Sequence, residues 1–586
     1  MLRRCALAVT LAMAVGAVAT FAAPPGDKGP YEKYPELYEQ AKAVVSGQGD
    51  AKAATAAIDA ELAKVVLMGQ RDQRLRDDML QQLFTLRGAV TTLAPAKDKD
   101  VVAVLLDNPQ ILGRFLHALD AGDNVPKAVG VLKQLKETDE AKFLKNSEFC
   151  IAFAVVWDDF HGYHWVDKTC GPVSAEHMLG LYKWFYDNAR QMIIKPWDLP
   201  FELSVYVVHS RITPEERGWV LNNYGRKLDA YEVYKGVPWT KVLSPAHGAG
   251  AGIPYTLANM KTMGGVCMEQ AYFTEQVMRL HGVPAVYMRG EGREEGGHAW
   301  VGVFLTRPRP QWDFSPGRYR DNRYFLGSSY DPTDTNSHGN YKAPMLLEAD
   351  IKMTAAALAS AKGSLTTIEQ SNVLLDAAAW AGEHMGETVG DEDKPITRDA
   401  LVESLADEAL RVNSFNAGVW ALAARLAHDK KLTGDQAMDW AKKLADKTLK
   451  SFPDYTVAYI GQFLDCADNP DLKIKLYGRL YDELKKEDRA DLASNVKVAE
   501  GDLWQAKGDV RRAMQCYIYP LVNFSQDNHV LGLAQEKLKA VGAEGNKDET
   551  VKACKEILKA LDKGETTPER MEAARIINEK MRTIGG

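Results

Sequence analysis

The sequence predicts an α-rich α+β chain, with a small antiparallel sheet packed on one helix and mostly helical regions on either side. Three observations predict it. On both flanks, apolar residues recur at three- and four-residue spacing through Ala- and Leu-rich runs such as 53–67 and 75–86. Between the flanks, residues 298–305 alternate: His298, Trp300, Gly302 and Phe304 point one way, and Ala299, Val301, Val303 and Leu305 the other. Just before that strand, Cys267, Ala271, Thr274 and Met278 fall at helical spacing, with Phe273 and Val277 beside them. Gly264-Gly265 precedes this helix, and Gly282 with Pro284 ends it.

For a chain of 586 residues, two to four domains are expected rather than one core. Its 46% hydrophobic and 26% charged content is ordinary for globular protein. A net charge of −7, with no basic run, argues against nucleic acid as a partner. Residues 1–23 read as a secretory leader. Arg3 and Arg4 form the charged start, 6–18 is apolar, and small residues lead to cleavage after Ala22 or Ala23, before Pro24-Pro25. The expected location is therefore periplasmic or secreted. No later run is apolar for long enough to span a bilayer, so no stable membrane insertion is expected. Past the leader, six cysteines remain without a dense framework; Cys150 with Cys170, or Cys466 with Cys516, stay open as pairs.

After a Pro/Gly-rich lead-in, residues 24–145 form a helical N-terminal domain with no residue suggesting chemistry. Cys150–Trp157 is an apolar helix or strand, and 203–208 looks like a strand. Thr213, Pro214 and Glu216 have the N-cap, first-turn and capping-box identities of a helix start. His161 and His164 lack two further ligands nearby, apart from Cys170, and read as a polar loop. No metalloprotease, phosphate-loop or dinucleotide motif is present, so no metal and no cofactor are expected. From 346 onward the pattern is helical to the end, with a charged break at 391–395.

The chemistry concentrates between 255 and 334. Cys267 at a helix start meets unpaired N–H groups and the positive end of the helix dipole, which favour a thiolate. His298 on a strand is a rigid base, and an aspartate can fix its tautomer. The Cys267 N–H is one oxyanion donor. A second is open between Asn259 and Gln270.

Gly-Gly-Val-Cys267, Gly282-Val-Pro-Ala, Gly-His298-Ala-Trp and Asp331-Pro-Thr together resemble the transglutaminase-like superfamily, which shares the papain-type core. The apolar run ending in Trp157-Asp and the Pro214-Glu-Glu-Arg-x-Trp helix resemble the lead-in of its exported bacterial members. The resemblance implies a domain over 146–345 and a Cys267, His298, Asp331 triad. Asp313, at hairpin distance after His298 and next to Trp312, is the rival for the third place. It implies an enzyme acting on peptide or protein amides through a thioacyl intermediate, by hydrolysis or acyl transfer. The alternative is a catalytically degenerate scaffold that binds a partner through its helices. In the C-terminal domain, 346–586, Gly501, Trp504, Gly508, Ala513 and Tyr517 stand where a tetratricopeptide repeat has its small and aromatic residues, with Trp420, Ala437 and Pro453 fitting an earlier repeat. Pro520 departs from that pattern. The likeness implies a degenerate helical repeat offering a surface to a protein or peptide partner.

Overall fold

The computed structural model describes residues 31–585 apart from 69–71, 121, 171–172, 244–252, 292–296, 308, 319–326, 334–345, 360–366, 391–394, 488, 524–527, 543–546 and 564–565. The leader-like residues 1–23 lie outside the described residues. The described chain is α-rich with a small antiparallel sheet, as the periodicities predict. None of the described helices is long and apolar enough to cross a membrane.

One apolar core runs from Tyr31 to Val496, joining the N-terminal helices to those after the sheet. A second cluster, from Val498 to Ile577, holds the last helices together. Polar ties cross between the flanks. Arg76 on the helix Gln73–Gly88 pairs with buried Glu408 at 2.7 Å, and the Trp380 indole donates to Asp59 at 3.0 Å. Arg114 meets Glu148 and Glu202 at 2.7 Å each and Glu369 at 3.8 Å, so one cation ties four helices.

Cys150–Trp157 belongs to the helix Ser147–Trp157, buried on every side from Phe149 onward. The strand expected over 203–208 is instead a helix, Phe201–Val208. Nearly every residue of it is buried, and full burial removes the polar face that distinguishes the two periods. The capping box at Thr213 forms as expected, with Glu216 N–H donating to its hydroxyl at 3.4 Å. Glu216 also accepts from Leu257 N–H at 2.8 Å, linking this helix to the segment that leads into Cys267.

The sheet holds β1 (Ala285–Glu291), β2 (Gly297–Leu305), β3 (Gln311–Asp313), β4 (Ser328–Ser329) and β5 (Leu346–Leu347), in the order β3-β2-β1-β4-β5, with every pairing antiparallel. The helix Cys267–Arg279 packs on β1 and β2, its Met278 clustering with Ala285, Val301 and Val303. His298 and Trp300 share the opposite face, their rings 6.1 Å apart.

In the C-terminal helices, Gly501 on Ala490–Ala506 faces the Tyr517 ring on Val510–Asn523; a Cβ there would lie 2.6 Å from it. That is the small-against-aromatic contact a helical hairpin needs. Pro520 is accommodated inside the second helix.

Candidate cysteine–histidine site

Cys267 is the first residue of a 13-residue helix. Glu269, at the third position, reaches back to accept the Val266 N–H at 2.8 Å, satisfying a donor that the helix leaves unpaired. Gly264 has φ +80° and backs onto the Pro238 carbonyl; a Cβ would sit 2.1 Å from that oxygen. Gly265 N–H donates to Pro238 O at 2.9 Å, Thr240 N–H to Gly265 O at 3.0 Å, and the Thr240 hydroxyl to Met263 O at 2.8 Å. The two glycines therefore let the 238–240 strap lie flat along the approach to Cys267.

The far end of the helix is clamped as firmly. Glu275 and Arg279 form a buried ion pair at 2.7 Å. Glu275 also accepts from the Tyr163 hydroxyl at 2.6 Å and from Tyr287 N–H at 2.8 Å. Arg279 donates to the Ala285 carbonyl at 2.9 Å, and also to the carbonyl of His209. A buried charge pair holds only with such added bonds, and here they tie the helix to β1.

The Cys267 thiol is half-buried. Burial pushes it above the ordinary cysteine range, against the pull of three backbone N–H groups, those of Ala299, Met268 and Cys267 itself. Desolvation outweighs the helix terminus, so the resting thiol is protonated, where the helix start alone suggested a thiolate. The Ala299 contact puts the sulfur against the residue next to His298.

His298 is 6% exposed, and burial lowers its basicity below that of a free imidazole. Its Nε2 lies 2.8 Å from the Gly317 carbonyl. A carbonyl only accepts, so Nε2 carries the proton and the neutral ring keeps its lone pair on Nδ1. Gly317 has φ +80°, in the turn after β3. The Tyr234 ring fills the place of a Gly317 Cβ, which would lie 2.3 Å from it, while the Tyr234 hydroxyl donates to Ala299 O at 2.8 Å.

The structure does not bring either candidate aspartate to Nε2 of His298. Asp313 pairs with Val303, five residues along β2, and faces the other side of the sheet. At about 3.3 Å per residue it is roughly 16 Å away along the strand. Its carboxylate accepts from Ser315 N–H at 2.9 Å, shaping the turn that delivers Gly317. Asp331 follows β4, which lies beyond β1 and runs parallel to β2, away from the His298 end. Its carboxylate takes the Thr333 N–H and hydroxyl, at 2.9 and 2.7 Å, and its charge bears on Tyr206 and Asp123.

Asn259 and Gln270 are also spoken for, donating to Pro254 O at 2.7 Å and to Val237 O at 2.8 Å. The six cysteines from Cys150 to Cys554 are free thiols. Sequence reasoning missed Gly317 and Tyr234, because a carbonyl acceptor leaves no side-chain signature. The one available signal was the distance from His298 through the hairpin to Pro316-Gly317. Compared with family models, curated proteins and solved structures, the chain finds no match.

Proposed function

We propose that Cys267 and His298 carry out cysteine-nucleophile acyl chemistry on amides. The observations that support this are that Cys267 opens a helix packed on β1 and β2, the latter carrying His298, that the Ala299 N–H bears on the Cys267 thiol, and that the Gly317 carbonyl fixes the tautomer of the neighbouring His298. Its context, a helix start packed on the adjacent strands β1 and β2 of a small antiparallel sheet, supports a transglutaminase-like, papain-type core.

His298 Nδ1 accepts the thiol proton as the sulfur attacks the amide carbonyl. The negative charge that develops on the carbonyl oxygen meets the Cys267 N–H at the helix start. His298 then gives the proton to the leaving amine, the carbon–nitrogen bond breaks, and a thioester remains on Cys267. Water or an amine, deprotonated by the same Nδ1, attacks the thioester and releases the thiol. Throughout, Nε2–H stays on the Gly317 carbonyl, which takes the part for which the sequence suggested Asp331. A carbonyl fixes the ring but supplies no full charge, so the resting pair is neutral thiol and neutral imidazole.

The test is labelling by a peptidyl electrophile, read at each thiol by peptide mass spectrometry. Labelling of wild type at Cys267, at least about tenfold faster than in His298→Ala, is the expected result. Equal labelling of wild type and His298→Ala would overturn the enzyme reading and favour the scaffold, whose partner binding would survive Cys267→Ala.

A further inference from the structure

On the strap that runs along the approach to Cys267 stands an aromatic side chain that the chemistry above does not use. Trp239 is 64% exposed, the most of any large hydrophobic side chain among the described residues. Its backbone is bridged to Gly265, two residues before Cys267. Tyr231 and Val242, from the same short stretch, are exposed as well, at 36% and 43%. Lys235 and Lys241 are exposed between and beside them, the Lys235 ammonium 4.9 Å from the Tyr231 ring.

A single exposed apolar residue needs no explanation, but a cluster at the lip of a site does. The strap that carries Trp239 is also not loose. The bonds from Gly265 and Thr240 lock it, and Gly264 adopts a conformation that only glycine takes easily, in order to admit it. A rigid tryptophan loses little entropy on binding, which makes it a strong contact. Adjacent extended segments lie about 4.8 Å apart and rise about 3.3 Å per residue. Trp239 therefore stands within one or two residues' reach of anything attacked at Cys267.

We propose that Trp239 determines specificity. It receives a large apolar side chain about two residues from the attacked carbonyl of a peptide substrate. The proposal deepens the acyl-chemistry reading and rests on it for the identity of the attacked bond.

The experiment separates the two. Cys267→Ala protein is titrated into fluorescein-labelled peptides that differ only in Phe or Gly two residues before a central amide, and binding is read by anisotropy. The Phe peptide is expected to bind at least tenfold tighter than the Gly peptide. Trp239→Ala should erase that preference, and Trp239→Phe should restore part of it. Equal binding of the two peptides, or a preference that survives in Trp239→Ala, would overturn the proposal. Because the nucleophile is absent, a preference that depends on Trp239 stands even if no electrophile ever labels wild-type Cys267. In that event only the acyl chemistry fails.

Discussion

His298 gives its Nε2 proton to the Gly317 carbonyl at 2.8 Å, the position on the ring where a carboxylate was expected. The carbonyl is there because Gly317 adopts φ +80° and lies flat against Tyr234. Gly317→Ala meets both the left-handed strain and the ring, so it should lower stability by about 1–3 kcal/mol. It should also slow Cys267 labelling more than tenfold. Tyr234→Phe keeps the ring and loses the hydroxyl's bond to Ala299 O, about 1 kcal/mol. It should leave most of the reactivity, as labelling and denaturant midpoints on the two variants would show.

Replacing Asp331 or Asp313 should separate the candidates for a third group. Asp331→Asn is expected to change the labelling rate of Cys267 less than threefold, because that side chain serves Thr333. Asp313→Ala should slow it indirectly, by freeing the Ser315 N–H that shapes the turn to Gly317. Asp313→Asn, which still accepts, should restore the rate. A large loss in Asp331→Asn would return the carboxylate to the mechanism.

Burial raises the Cys267 thiol and lowers His298, so both are neutral near pH 7. The base must be unprotonated, so labelling should rise with pH along an acid limb whose midpoint lies below the free-histidine value of about 6.5. Plain iodoacetamide alkylation, which needs thiolate, should titrate above the free-cysteine value of about 8.5. An alkylation plateau persisting down to pH 5 would instead reveal a thiolate–imidazolium pair.

Arg114 is mostly buried among Glu148, Glu202 and Glu369. Arg114→Met leaves buried carboxylates without a cation and should cost about 3–5 kcal/mol at neutral pH. Burial pushes Glu202 upward even with the arginine present. In the variant the glutamates should therefore take up protons, and the loss measured by urea unfolding should be smaller at pH 5 than at pH 8.

His177 accepts a bond from Arg217 at 2.8 Å, which requires a neutral ring. Burial and then the Arg217 charge bring it down to about 4. The unfolded chain binds this proton at about 6.5, so stability from His177 is complete above 6.5 and is lost as pH falls toward 4. His177→Gln should flatten the pH dependence of the urea midpoint across that window.

The helix at Cys267 and the strand at His298 were legible although both are buried almost throughout, because glycine or proline marks the ends of the helix and aromatic and β-branched residues fill the strand. Phe201–Val208 was not, because it is as fully buried and its run of valine and tyrosine favours a strand reading. The Gly317 carbonyl at His298 was not legible for another reason. Strand register, not sequence distance, decides which group meets an imidazole, and the group that does so is main chain.

The far end of the Cys267 helix is held from outside the short segment that carries its chemistry. Tyr163 and His209 precede that segment in the chain, yet they hold the buried carboxylate and guanidinium of Glu275 and Arg279. A fragment beginning at about residue 230 would keep the ion pair but take from it the Tyr163 hydroxyl and the His209 carbonyl, leaving both buried groups short of a partner. The smallest excisable unit must therefore start before Tyr163, and a transplanted cysteine–histidine segment would not keep its geometry in a new host.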